Sequence, residues 1–90
     1  MLSIELSATA PDDHLAICKT LGKKIKKVRL MKKMSQISLA VLCNFEKANM
    51  SRIESGTTNP TFLTLYKVCQ ALGITLSELC AGIEGSTADS

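Results

Sequence analysis

The chain has 90 residues, enough for one hydrophobic core and one domain, with no room for a separate ligand-sensing module. Hydrophobic residues make up 46% of it and charged ones 21%, which excludes a disordered chain, and aromatics at 3% leave Leu, Ile, Val, Met and Ala to fill an interior of helices packed on helices. The net charge of +3 hides a segregation. All eleven Lys and Arg residues lie between Lys19 and Lys67, where Glu46 and Glu54 are the only acids, a balance of +9 flanked by −3 over residues 1–13 and −3 over residues 74–90. A cationic module of this kind suits a polyanion, either nucleic acid or an acidic membrane surface, because each neutralised phosphate releases condensed counterions.

Residues 1–10 alternate Leu2, Ile4 and Leu6 with Ser3, Glu5 and Ser7, the period of a half-buried strand. They read either as a disordered arm or as a short strand pairing with its copy in a dimer. The opening MLSIELSATA has neither a basic start nor a continuous apolar core, so a signal peptide is not expected, and no apolar run reaches membrane-spanning length.

The first helix is predicted from Pro11, with Thr9 as a cap and Asp12 and Asp13 at its positive end, to about Lys33. Ile17, Cys18, Leu21, Ile25 and Val28 form its inward stripe, and lysines fill the rest of the circumference. Eight basic residues from Lys19 to Lys33 with no acid among them exceed what a solvated face needs. Arg29 falls at the edge of the stripe, where burial would call for a carboxylate partner.

Ser35 offers an N-cap for a second helix, from Gln36 to about Cys43, expected to bury Ile37, Leu39, Ala40 and Val41. Asn44-Phe45 breaks it. The third helix, Glu46 to Ser55, turns Met50 and Ile53 inward with Phe45, and leaves Lys47, Ala48, Ser51, Arg52 and Ser55 outward, until Gly56 stops it. Two short helices joined by a few residues, with the small Ala40 where they meet, make a helix-turn-helix. After the loop Thr57-Thr58-Asn59-Pro60, a fourth helix runs from Thr61 to Leu72 with Phe62, Leu65, Val68, Cys69 and Leu72 inward. Gly73 ends it. A short fifth helix capped by Thr75 carries Leu76, Leu79 and Cys80, and a polar tail follows over residues 82–90. The domain is thus bounded at 11–81.

The cysteines at 18, 43, 69 and 80 form no CxxC pair and read as small hydrophobes in a reducing cytoplasm. The only histidine, His14, stands four residues before Cys18, a spacing that holds a metal only if two further ligands come from elsewhere. No paired carboxylates and no phosphate-cradling glycine loop accompany it, so no enzyme, cofactor or metal site is expected.

The stretch from Leu21 to Leu79 resembles the phage-repressor and Cro type of helix-turn-helix domain, the Xre family. The resemblance is carried by Ser35-Gln36, Leu39-Ala40, Met50 to Gly56 (MSRIESG), Asn59-Pro60, and the spacing of Thr64 to Leu79 (TL..V..ALGI..SEL). It implies an all-α, five-helix fold like that of lambda repressor, whose third helix enters the major groove of double-stranded DNA. By position it makes Lys47, Ala48, Ser51 and Arg52 the base-reading set, with Lys or Arg suited to guanine O6 and N7. It places Gln36, Ser55, Thr58 and Asn59 at the DNA backbone, and pairs Arg29 with Glu54. Two departures are evident: the glycine usual before the Ser-Gln pair is replaced at Lys33 or Met34, and the turn glycine is Asn44. A homodimer on an inverted repeat is expected, through Ile74, Leu76, Leu79 and Cys80 with the preceding helix, and with no small-molecule effector. The competing function is a DNA-binding antitoxin or adaptor of the same fold, acting through a protein partner. A membrane-surface module is disfavoured because the lysine-rich helix lacks exposed aromatic anchors and its apolar stripe is needed by the core.

Overall fold

Local capping chemistry sets most of the helix boundaries. Ser35, Thr61 and Thr75 each sit in extended backbone and accept a hydrogen bond from an amide three residues on, at Ser38, Thr64 and Glu78. Thr75 and Glu78 close a full capping box. Asn44, Gly56 and Gly73 stop the helices before them in the left-handed conformation. In a computed structural model that describes residues 11–81, the result is five helices: α1 Pro11–Met31, α2 Gln36–Cys43, α3 Lys47–Ser55, α4 Phe62–Leu72 and α5 Leu76–Cys80. No strand occurs among the described residues. The alternating segment 1–10 and the tail 82–90 lie outside them.

One core joins all five helices. Leu21 and Ile25 of α1 meet Leu39, Ala40 and Cys43 of α2, Met50 and Ile53 of α3, Val68, Cys69 and Leu72 of α4, and Leu79 of α5. Ile25, Leu39, Met50, Val68, Leu72 and Leu79 are fully buried, each contributing about 1.5–3 kcal/mol by transfer from water. The long α1 packs across α3 and α5, while α2 lies between α3 and α4.

Four residues expected in the interior are outside it. Ile37 is 54% exposed, Val41 69%, Phe62 64% and Ile17 47%. For α2 the reason is its composition: QISLAVLC is apolar nearly all round, so only the neighbours α3 and α4 decide that Leu39, Ala40 and Cys43 face in. Phe62 opens α4 before that helix reaches the core. Leu79 errs the other way. Placed by the sequence on a partner-facing surface, it is wholly buried in its own chain and belongs to the core.

Gly22 explains how closely α1 meets α3. A Cβ there would stand 2.6 Å from the carbonyl oxygen of Ile53 and closer still to that of Glu54, so only glycine lets the two backbones approach. Gly56 does the same at the end of α3, where a Cβ would stand 2.5 Å from the Cα of Lys19.

Candidate nucleic-acid interface

Helices α2 and α3 are joined through Asn44, whose φ of 63° supplies the left-handed turn that glycine would otherwise give. The Phe45 amide then donates to the Ala40 carbonyl at 2.8 Å, and Ala40, itself buried, lets the two helices cross closely. The corresponding substitution before α2 is resolved as well. Lys33, with φ of 59°, occupies the left-handed position, and Met34 does not.

With Met50, Ile53 and Glu54 turned into the protein, α3 presents Lys47, Ala48, Ser51, Arg52 and Ser55 as one exposed stripe. Among the described residues no acidic side chain pairs with Lys47 or Arg52. Ser55 is partly committed: its hydroxyl donates to the Arg52 carbonyl at 3.1 Å and lies 3.1 Å from the Thr57 hydroxyl. Beyond Gly56, Thr58 is half-buried and Asn59 exposed, and both border a shallow hollow against His14, Leu15 and Cys18 of α1.

Gln36 is the first residue of α2 and is partly exposed. The Ser35 hydroxyl takes the Ser38 amide at 3.0 Å and the Ser35 carbonyl takes that of Leu39, which leaves the amides of Gln36 and Ile37 at the helix mouth for an anion.

Behind this surface Arg29 and Glu54 form a bidentate pair, Nε to Oε2 at 2.7 Å and a second guanidinium nitrogen to Oε1 at 3.0 Å, with side chains 8% and 4% exposed. The third nitrogen donates to the Met34 carbonyl at 2.9 Å, tying the loop before α2 to the same group. Sequence reasoning did not anticipate that Gln36 Nε2 also donates to Glu54 Oε1, at 3.0 Å. No buried side-chain nitrogen or oxygen among the described residues lacks a partner, which is the condition under which a buried ion pair is tolerated.

Elsewhere Lys24 donates to the Ala81 carbonyl at 2.6 Å, pinning the end of α5 to α1, and Lys67 stands 5.9 Å above the Phe45 ring. The expected dimer surface is brought together only in part. Ile74 and Leu76 are half-buried against the core and Cys80 is half-buried, whereas Phe62, Leu63 and Tyr66 on the adjoining α4 are exposed, with the rings of Phe62 and Tyr66 stacked at 6.4 Å. Burial raises the thiols of Cys43 and Cys69 above the ordinary range, countered at Cys43 by Lys67 and reinforced at Cys69 by Cys80 and Glu78. No three His, Cys, Asp or Glu side chains gather among the described residues, and no described helix is long and apolar enough to cross a membrane.

An outward basic stripe on the second of two short crossed helices, above a locked turn, is the architecture of a helix-turn-helix DNA-binding domain. The helix-turn-helix family model matches residues 25–79, and the chain belongs to that family, in its Xre-type branch. It is 42% identical over 64 residues to the control protein C.MunI of a Mycoplasma species, covering 70% of this chain and 86% of that one. It is 37% identical over 60 residues to the immunity repressor of Bacillus phage phi105, covering 67% of this chain and 42% of the phage protein. Among solved structures, the restriction-modification controller C.AhdI of Aeromonas hydrophila superposes with a TM-score of 0.69 at 28% identity, over 71% of this chain and 97% of that one. The protein is therefore a DNA-binding transcriptional regulator, of a family of regulators and not of enzymes.

Proposed function

We propose that the protein binds an inverted repeat in double-stranded DNA as a homodimer, each copy laying α3 in the major groove. The observation that carries this reading is the unpaired outward stripe of α3. Lys47 and Arg52 there are suited to guanine, Ala48 to a thymine methyl, and Ser51 to either base edge. Gln36 with the α2 amides, Ser55, Thr58 and Asn59 contact the sugar-phosphate backbone and fix the register. A single recognition helix reads only a few base pairs, so two copies on half-sites about 34 Å apart supply the affinity. Their contact surface combines the exposed α4 face, Phe62, Leu63 and Tyr66, with Ile74, Leu76 and Cys80.

The helix-turn-helix unit spans 11–81, works in the cytoplasm, and responds to its own concentration and not to a bound metabolite. The relatives named as control or controller proteins favour this reading over that of an adaptor for another protein. Selection from a random-sequence duplex pool at two salt concentrations tests it. An enriched inverted repeat, with preference relaxed at one base pair per half-site by Arg52→Ala, is the expected result. Uniform, salt-sensitive binding unaffected by Arg52→Ala would reduce the surface to an unspecific cationic face.

A further inference from the structure

We propose that Glu54, paired with Arg29, is a positioning residue for DNA binding, orienting the Gln36 amide toward a phosphate. This rests on the reading of Gln36 as a backbone contact. Glu54 Oε1 already accepts from Arg29 at 3.0 Å, and Gln36 Nε2 is a further donor to that same oxygen, also at 3.0 Å. A carboxylate only accepts, so Gln36 must turn its nitrogen inward and cannot present its oxygen there. One N–H of the amide is thereby held on Glu54. The other, in the same plane and about 120° away, points away from Glu54 and is the donor left for a phosphate held by the Gln36 and Ile37 backbone amides.

A long glutamine side chain loses much rotamer freedom when it grips a phosphate. Here that freedom is already restricted in the free protein, so less is lost on binding. The charge of Glu54 does not oppose the incoming phosphate, because Arg29 neutralises it at 2.7 Å. Arg29 also fixes the Met34 carbonyl. One guanidinium thus locates the end of α3, the loop before α2 and, through Glu54, the side chain that opens α2.

The test is a double-mutant cycle in the full chain on one selected duplex. R29M/E54L replaces the pair by apolar groups of similar size, which preserves packing and removes the acceptor. Gln36→Ala should weaken binding about five- to tenfold in the wild-type background and less than twofold in R29M/E54L, while Lys47→Ala should cost the same in both. In the free protein the Gln36 side-chain amide proton held on Glu54 should exchange more slowly than its solvent-facing partner, and lose that protection in R29M/E54L. If R29M/E54L fails to fold, Glu54→Asp, which keeps the charge for Arg29 and withdraws the oxygen from Gln36, takes its place in the cycle. An equal loss from Gln36→Ala in both backgrounds overturns the proposal. No loss in the wild-type background removes the proposal together with the backbone role of Gln36, a failure distinguished by losses that persist at Lys47 and Arg52.

Discussion

Gly22→Ala sets helix propensity against packing and has a definite sign. In an isolated helix the change would stabilise by about 1 kcal/mol. In the folded protein the new methyl would stand 2.6 Å from the Ile53 carbonyl oxygen and nearer to that of Glu54, where ordinary contact needs 3.4 Å or more. Both obstructing atoms are backbone, so no side chain can swing aside and α1 must retreat from α3 by roughly 1 Å. Overpacking of this kind costs about 1–3 kcal/mol, and the retreat also strains the adjoining Arg29–Glu54 pair, whose 2.7 Å contact depends on the same helix spacing. With about 1 kcal/mol of helix propensity set against the overpacking and the strain on the ion pair added, the net expectation is a loss of about 1–2 kcal/mol, a fall in Tm of roughly 4–16 °C for a domain this size. Thermal and urea unfolding followed by circular dichroism measures it, with Lys23→Ala, at an exposed neighbour, as a control expected within about 0.5 kcal/mol of wild type. A Gly22→Ala protein as stable as wild type or more so would refute the close approach of α1 and α3.

Arg29→Met should destabilise by about 3–5 kcal/mol because it strands a buried carboxylate, whereas R29M/E54L should lie near wild type; denaturant midpoints at constant m-value separate the two. Lys33→Gly relieves a left-handed lysine and should raise stability by up to about 1 kcal/mol, measured in the same way. Cys43 and Cys69 should resist iodoacetamide at pH 8 in the folded protein, since burial removes access and holds each thiol protonated, with Cys18 and Cys80 labelled first by mass spectrometry. Their folded-state values lie above the unfolded one, so their contribution to stability is complete below about pH 9 and is lost as pH rises from there through the folded values.

The parts of this molecule that follow local rules could be read along the chain. Ser35, Thr61 and Thr75 cap, Asn44, Gly56 and Gly73 stop, and each acts through atoms within a few residues of itself. The outward stripe of α3 was legible for the same reason, because Met50 and Ile53 leave only one direction for Lys47, Ser51 and Arg52. Orientation failed where the sequence offers no contrast. Along α2, Ile37 and Val41 are as apolar as Leu39, and the choice between them is made by α3 and α4. Leu79 sits in a helix too short for a period to say whether its apolar side meets its own core or another copy. The link from Gln36 to Glu54 spans 18 residues and depends on how two helices cross. Gly22 did carry a signal, since a glycine in the middle of a long lysine-rich helix weakens it unless a backbone passes close by.

Base reading by Arg52 of α3 is accessible to a chemical double-mutant cycle. In the selected duplex, the guanine whose preference relaxes with Arg52→Ala is replaced by 7-deazaguanine, which removes the N7 acceptor and leaves base pairing intact. If Arg52 grips that guanine, the replacement weakens wild-type binding about fivefold or more, within the roughly 1–3 kcal/mol that a bidentate arginine contact contributes, and leaves Arg52→Ala binding unchanged. An equal loss in both proteins, or none in either, would contradict it.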